Sequence, residues 1–165
     1  MFPIPVPAVA GWLAIVARPR GGDWLDDEVR RLVDHGIQVV VSLLCDSEWI
    51  ELGLAEEAAI CSRYHIDFIS LPVPDLGVPV DTGEFIEVVH RLATLIRGGT
   101  RIAVHCRQSV GRSGLLAASV AMACGMPLHT ALETISKARG VAVPETQVQK
   151  DWLQRMETRL SNRDR

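Results

Sequence analysis

The stretch from Arg101 to Gly114 reads R-I-A-V-H-C-R-Q-S-V-G-R-S-G and decides the fold. Its first part, Ile102–Val104, is a short run rich in β-branched residues, which is typical of a buried strand. Its last part leads into the long apolar segment Leu115–Cys124, which has helical character. Two glycines, at 111 and 114, allow the backbone between them to turn tightly. The stretch therefore predicts a strand, a tight loop and a helix in direct succession.

The loop between this strand and helix is predicted to bind phosphate. A junction of this kind directs several backbone N–H groups into one concavity, at the positive end of a helix dipole. Cys106 lies in the same concavity, where the N–H dipoles and the guanidinium of Arg112 favour the thiolate. Arg112 can grip two phosphate oxygens bidentately, and the hydroxyl of Ser113 can donate to the sulfur when it leaves. The predicted phosphate-binding residues are Arg107, Gln108, Ser109, Val110, Gly111 and Arg112.

The pattern His-Cys-x5-Arg-Ser, formed by residues 105 to 113, resembles the signature of the cysteine-based phosphatases, the protein-tyrosine and dual-specificity superfamily. The alternative is a buried structural cysteine near an unrelated arginine. The resemblance implies that Cys106 is the nucleophile. It also implies that His105 holds the loop by hydrogen bonds and favours the thiolate without transferring the proton itself.

Composition limits the other classes of function. With 165 residues, 48% of them hydrophobic, the chain is predicted to form one domain over residues 1–165. A net charge of −3 argues against general binding to nucleic acid or to a membrane surface, so any attraction to phosphate must be local. Four irregularly spaced cysteines form no zinc pattern and indicate a reducing, cytoplasmic setting. No apolar run approaches a membrane span, and the proline-broken N-terminus is interpreted as an extended lead-in.

Strands are expected to alternate with helices along the chain. The pattern predicts an α/β fold with a short, mostly parallel sheet flanked by helices. The resemblance implies, more narrowly, the fold of protein-tyrosine and dual-specificity phosphatases. Asp23 is a plausible N-cap for the first helix. The predicted strands span residues 12–17, 37–44, 66–73 and 102–104. The predicted helices span residues 24–34, 49–64, 115–124, 128–137 and 145–160, with one more starting at Asp81.

A proton donor is needed because a phosphate ester does not readily lose its alkoxide or phenoxide near neutral pH. Asp75 lies among Pro72, Pro74 and Pro79, directly after a predicted strand whose end should lie beside the phosphate loop. Asp81 is the rival carboxylate, but its place in a capping box already explains it. We therefore expect Asp75 to be the acid, the alternative being an Asx-turn residue. The resemblance agrees, because dual-specificity phosphatases carry their acid on a proline-containing loop about thirty residues before the cysteine.

Further segments narrow the resemblance to the kinase-associated branch of atypical dual-specificity phosphatases: residues 72–79, 110–118 and 146–149. In that branch a glutamine at the place of Gln149 helps to orient the hydrolytic water, although Thr146 and Gln149 also form a capping box.

Relatives often carry a cysteine where Cys45 ends its strand. We hypothesise a reversible Cys45–Cys106 disulfide under peroxide, the alternative being a small buried residue. Where many relatives have Ala-Gly, this chain has Gln108-Ser109.

The expected reaction has two steps. In the first, Cys106 attacks phosphorus, the loop amides and Arg112 stabilise the equatorial oxygens, and Asp75 protonates the leaving group. In the second, water activated by Asp75 releases phosphate. No metal or cofactor is required. The expected substrates are proteins that carry phosphotyrosine, and also proteins that carry phosphoserine or phosphothreonine. The chain is expected to be a monomer whose loop binds phosphate or vanadate. The alternatives are a phosphate-binding pseudophosphatase and a phosphatase of a non-protein ester; inositides rank low, because the loop carries no lysine.

Overall fold

The sheet has the predicted character. A computed structural model describes residues 1–7 and 9–161. Its strands are β1 (Phe2–Ile4), β2 (Trp12–Ile15), β3 (Val39–Ser42), β4 (Asp67–Ser70) and β5 (Arg101–His105). They form one sheet in the order β1-β2-β5-β3-β4. All neighbouring pairs are parallel except β1 with β2, which is antiparallel. The prediction of an α/β fold around a short, mostly parallel sheet is confirmed.

Helices cover both faces of this sheet. They are α1 (Leu25–Asp34), α2 (Asp46–Glu51), α3 (Glu57–Arg63), α4 (Thr82–Arg97), α5 (Gly111–Ala123), α6 (Leu128–Arg139) and α7 (Gln147–Ser161). In β3, Val39 and Val41 face a large apolar cluster shared with α4, α5, α6 and α7, while Val40 faces a smaller cluster shared with α1 and α3. Burial on both faces explains why this strand begins with three consecutive valines.

Helix α5, which follows the phosphate loop, is buried along its whole length. It contacts α4, α6 and α7, and small residues allow these neighbours to approach closely. A Cβ on Gly114 would stand 2.8 Å from the Cβ of Val143, so this position cannot hold a larger residue without a shift. The helix that carries Arg112 is therefore fixed from several sides.

Three local predictions are wrong. The N-terminal lead-in contains β1, because a strand at the sheet edge tolerates the missing N–H of Pro3. Asp23 does not cap α1: it lies inside a 3-10 turn at Gly22–Trp24, and no side chain caps α1. The region 49–64 holds two short helices, α2 and α3, separated around Gly53, whose φ of +67° takes the chain out of helical geometry.

The predicted boundaries of the other elements agree to within a few residues. No helix in the described ranges combines the length and apolarity needed to cross a bilayer.

Candidate active site

The carboxyl ends of the parallel strands meet at one edge of the sheet. Ser42 of β3 lies opposite His105 of β5, so the loops after these strands leave the sheet side by side. The loops after β2 and β4 leave at the same edge. Crevices at the carboxyl ends of parallel strands are where α/β folds bind ligands. This edge gathers Cys45, Asp75 and the phosphate loop, as the sequence predicted.

The loop itself wraps the sulfur of Cys106. Cys106 is 2% exposed, and the backbone N–H of Ser109 donates to its Sγ at 3.2 Å. Ser109 has a φ of +56°, in the left-handed region where glycine is favoured. A Cβ on Gly111 would stand 2.9 Å from Oε2 of Glu145 and 3.2 Å from Oε1 of Gln149. The start of α5 therefore lies close against the segment that leads into α7.

Arg112 is held by an acidic partner that the sequence reading did not single out. Its guanidinium donates to both carboxylate oxygens of Glu48, Nη1 to Oε2 at 2.6 Å and Nη2 to Oε1 at 2.9 Å, and Nη1 also donates to the carbonyl of Val73 at 3.1 Å. The side chain of Arg112 is 2% exposed. Burial alone would lower the pKa of Arg112, but the hydrogen bonds to Glu48 and the nearby charge of Cys106 outweigh it and raise that pKa.

The pKa of Glu48 is shifted in the opposite direction. The hydrogen bonds from Arg112 lower the pKa of its carboxyl, against the opposing effect of burial. Its Oε2 also accepts from the backbone N–H of Cys45 at 3.0 Å, which ties the start of α2 to the end of β3. The carboxylate thus connects the backbone after β3 to the arginine of the phosphate loop.

Asp75 lies within reach of the same guanidinium. Its Oδ1 is 3.0 Å from Nη2 of Arg112, and its side chain remains 61% exposed. The turn that presents it is closed by a bond from the N–H of Gly77 to the carbonyl of Pro74 at 3.0 Å. Asp81 instead accepts from the N–H of Glu84 at 2.9 Å and caps α4, as its sequence context predicted. Of the two carboxylates, the structure brings Asp75 to the loop.

Gln149 joins the segment before α7 to the loop that carries Asp75. Its Oε1 accepts from the N–H of Thr146 at 3.3 Å, and its own N–H donates to Oγ1 of Thr146 at 3.2 Å, which is the predicted capping box. Its Nε2 donates to the carbonyl of Gly77 at 2.9 Å, and Oγ1 of Thr146 donates to the carbonyl of Leu76 at 3.2 Å. Gln149 is fully buried in this arrangement.

His105, which directly precedes Cys106, and Ser113, which directly follows Arg112, are both buried. Nε2 of His105 lies 2.8 Å from Oε1 of Glu57 on α3, and both side chains are 1% exposed. The two groups are close enough to pair, but the ring N–H is poorly directed for a hydrogen bond. The hydroxyl of Ser113 has no hydrogen-bond partner among the described residues, so it is available to a group that arrives in the loop.

Two further predicted residues lie at the rim. Both Nη atoms of Arg107 donate to the carboxylate of Glu51 on α2, at 2.6 and 2.9 Å. The side chain of Arg107 is therefore engaged by Glu51, and only its backbone N–H is available to a phosphate in the loop. Cys45 donates its thiol to the carbonyl of Val73 at 3.6 Å. Burial and the charge of Glu48 raise the pKa of the Cys45 thiol. Cys45 and Cys106 are both free thiols.

Sequence reasoning missed Glu48, Glu57 and Arg139. A signal for Glu48 existed, because an acidic residue three positions after Cys45 fits the N3 place of a capping box at a helix start, at the predicted binding edge. Glu57 and Arg139 lie on α3 and α6, far from the motif in sequence, and no local pattern distinguishes them from other charged residues on a helix. Arg139 donates from Nε to the carbonyl of Ser109 at 2.8 Å.

Comparison with known proteins gives a consistent picture. Residues 14–126 match the family model described as Tc-R-P, polymorphic toxin system, DSP-PTPase phosphatase. Cyclin-dependent kinase inhibitor 3 of Rattus norvegicus is 27% identical over 139 residues, which cover 83% of this chain and 65% of that protein. The chain thus corresponds to slightly less than two thirds of this relative's length. A putative tyrosine phosphatase, 197R, of Invertebrate iridescent virus 6 is 32% identical over 89 residues, or 52% of this chain and 32% of that one.

Solved structures share the fold. The kinase associated phosphatase (KAP), crystallised with serine in place of its catalytic-site cysteine, superposes with a TM-score of 0.81 at 18% identity and covers 97% of each chain. The active form of Tk-PTP superposes with a TM-score of 0.75 at 25% identity, covering 93% of this chain and 98% of that one. The predicted protein-tyrosine and dual-specificity phosphatase fold is confirmed.

Proposed function

Since this chain belongs to the DSP-PTPase family of dual-specificity phosphatases, we propose that it hydrolyses phosphate monoesters through a phosphocysteine intermediate. One observation carries the proposal: the sulfur of Cys106 accepts a loop N–H, and the arginine of the same loop faces the carboxylate of Asp75 at 3.0 Å. A nucleophile, a cationic phosphate ligand and a candidate acid therefore share one edge of the sheet. These are the groups that phosphoryl transfer to a thiolate requires.

In the first step, the thiolate of Cys106 attacks phosphorus and the ester oxygen departs with a proton from Asp75. The equatorial oxygens receive hydrogen bonds from the amides of residues 107–112 and from Arg112, which stabilise the developing charge. Arg112 now faces both Glu48 and Asp75. Glu48 acts as a positioning residue, because its bidentate contact fixes the plane of the guanidinium before substrate arrives.

In the second step, Asp75 takes a proton from water as the water attacks the phosphocysteine. Ser113 donates its otherwise unpartnered hydroxyl to the departing sulfur, and His105 supports the loop from behind. Gln149 helps to place the water: its amide lies against Gly111 and holds the carbonyl of Gly77, two residues beyond Asp75. The chain would complete both steps with its own side chains.

The proposed substrates are phosphorylated proteins that carry phosphotyrosine, or also phosphoserine or phosphothreonine. The enzyme is proposed to act as a monomer in the cytoplasm. The phosphoprotein class is supported by the similarity to cyclin-dependent kinase inhibitor 3 and to a viral tyrosine phosphatase. The other candidates are a weakly active phosphate-binding module and a phosphatase of a non-protein ester. The intact set of Cys106, Arg112 and Asp75 favours an active enzyme over the first.

The test is turnover of p-nitrophenyl phosphate. Cys106→Ser should abolish activity, and Asp75→Asn should lower kcat by about a hundredfold or more, as expected for loss of a general acid. Gln149→Ala should produce a burst of p-nitrophenol followed by slow turnover, because it impairs only the second step. A phosphopeptide panel of the three phospho-residues then separates protein substrates from other esters.

Matched controls are Cys124→Ser, at the far end of α5, and Asp67→Asn, an exposed carboxylate at the start of β4. Both should retain activity. Turnover by Cys106→Ser at the wild-type rate would refute the assigned nucleophile, and a folded wild-type protein that binds phosphate without turnover would establish the pseudophosphatase.

We also propose that peroxide links Cys45 to Cys106. Peroxide would convert the Cys106 thiolate to a sulfenic acid, and the Cys45 thiolate would then displace hydroxide to form the disulfide. The two thiols lie at neighbouring loops of one sheet edge, and both are free. After mild peroxide, mass mapping should find the bridged peptides, and a thiol reductant should restore activity. Detection of only higher oxides of Cys106 would contradict the proposal.

A further inference from the structure

We infer that Arg139, the last residue of α6, is a positioning residue that fixes one peptide plane of the phosphate loop, and that Phe2 of β1 holds its guanidinium in place. The inference rests on the proposed function, because it concerns the readiness of that loop for a phosphate group. Neither residue belongs to the phosphatase signature at residues 105–113, and neither touches Cys106, Arg112 or Asp75 in any contact that the structure gives.

Two contacts fix the guanidinium of Arg139. Its Nε donates to the carbonyl oxygen of Ser109 at 2.8 Å, and its Cζ lies 4.0 Å from the centre of the Phe2 ring. A cation stacked at this distance on an aromatic face is attracted by the ring and loses freedom to rotate. Strand β1 packs against α6, so the ring and the guanidinium are brought together by the fold itself.

The carbonyl that Arg139 holds determines where an amide points. In a planar trans peptide, the C=O of Ser109 and the N–H of Val110 point in opposite directions. A carbonyl held by Arg139 on the outside of the loop therefore directs the Val110 N–H the other way, toward the loop interior. If this peptide plane flipped, a carbonyl oxygen would face the phosphate and would repel it.

This plane is the part of the loop where such control is needed most. Ser109 has a φ of +56°, which costs a non-glycine residue free energy, and the converging N–H dipoles of an anion site repel one another without a ligand. The serine side chain supplies a second restraint, because its Oγ donates to the carbonyl of Val16 at 2.6 Å. Ser109 is thus held at its hydroxyl by the end of β2 and at its carbonyl by α6, while its N–H donates to the sulfur of Cys106.

A simpler role for Arg139 is a positive charge at the C-terminal end of α6, which favours the helix dipole. Lysine would serve that role equally well, but it lacks both the Nε donor and the planar group that stacks on Phe2. Lys137 is also in the last turn of α6 and provides a matched control for loss of charge.

The experiment compares Arg139→Met, Arg139→Lys and Lys137→Met in the full chain. We expect Arg139→Met to lower kcat/KM for p-nitrophenyl phosphate about tenfold, the factor for one lost hydrogen bond to a charged donor, and to weaken inhibition by inorganic vanadate. Alkylation of Cys106 by iodoacetamide should require higher pH. Arg139→Lys should recover little of this, and Lys137→Met should resemble wild type. Recovery by lysine would overturn the inference in favour of the dipole role.

Phe2→Leu gives an independent test if Arg139→Met folds poorly. Alone it should lower kcat/KM a fewfold, because the guanidinium loses its aromatic support. In the Arg139→Lys background, which already lacks the planar group that stacks on Phe2, it should have no further effect, since residues that act through one contact are not additive. Additive losses would contradict the inference.

Two different outcomes distinguish a failure of the proposed function from a failure of the role inferred for Arg139. If wild type shows no turnover but binds phosphate, the proposed function fails, and calorimetric phosphate affinity of the same variants still tests the role of Arg139. If wild type is active and Arg139→Met is equally active with an unchanged alkylation profile, the inference alone fails.

Discussion

At the level of single residues, Glu48 and Arg112 form a buried ion pair that also reaches the backbone of Cys45. Removing one partner of such a pair costs more than the pair contributes, because the other charge stays buried without compensation. The pair therefore explains both how the arginine is oriented and why Glu48 should tolerate no neutral replacement. The neighbouring pair of Arg107 and Glu51 is exposed to solvent and contributes much less.

Glu48→Gln should lower kcat/KM by about tenfold or more, since an amide offers one acceptor where the carboxylate offers two. The change should also alter the dependence of stability on pH. Because Arg112 lowers the pKa of Glu48 in the folded state, this group stabilises the fold above its unfolded pKa of about 4.3. That stabilisation is lost as the pH falls through the lower, folded pKa.

Urea unfolding between pH 6 and pH 3 measures this effect. The free energy of unfolding should fall with decreasing pH in wild type and less steeply in Glu48→Gln. Glu51→Gln, which removes the exposed partner of Arg107, is the matched control and should follow wild type closely. Parallel curves for Glu48→Gln and wild type would mean that Glu48 has the same pKa in both states.

At the level of elements, the site depends on close contact between α5 and the segment that leads into α7. Gly114 faces Val143, and Gly111 faces Glu145 and Gln149. The same segment holds the loop of Asp75 through Thr146 and Gln149. A shift of this segment would move the acid relative to the nucleophile, so packing and catalysis are coupled here.

Gly114→Ala should lower the free energy of unfolding by about 1–3 kcal/mol, the usual cost of overpacking a dense core. Activity should fall as well, mainly in kcat, because the displaced segment carries the contacts to Leu76 and Gly77. Thermal unfolding and steady-state kinetics measure the two effects. The control is Gly98→Ala, where φ is negative and an added Cβ would meet nothing nearer than 3.4 Å; equal stability of the two variants would contradict the packing argument.

The elements also show what the sequence could and could not predict. The buried β-branched strands and the cap at Asp81 were predictable, because each is encoded in a few adjacent residues. Asp75 could be placed beside the loop because parallel strands end at one edge. Glu57 and Arg139 could not, since their partners lie 48 and 30 positions away along the chain and depend on how α3 and α6 pack. The strand β1 was missed because Pro3 within it, and Pro5 and Pro7 after it, do not indicate a strand until an edge position is known.

At the scale of the whole molecule, the phosphate loop connects both faces of the sheet. Through Arg112 it reaches α2, through His105 it contacts α3, and through Ser109 it reaches β2 and α6. The net charge is −3, yet the loop directs dipoles and a guanidinium inward. Binding of an oxyanion should therefore stabilise the folded state as a unit and should depend on this local site.

Orthovanadate should raise the unfolding temperature of the wild-type protein. A ligand that binds only the folded state at a hundred times its Kd adds about 2.7 kcal/mol, which corresponds to a shift of roughly 5 °C or more for a domain of this size. Cys106→Ser should keep much of the shift from inorganic phosphate, because the amides and Arg112 remain. Arg112→Lys should lose most of it, since a lysine cannot make the bidentate contact. Arg91→Lys, on the outer part of α4, is the control for the same chemical change away from the loop. An equal shift in Arg112→Lys and wild type would show that the oxyanion binds elsewhere, and the phosphate loop would then have no part in holding it.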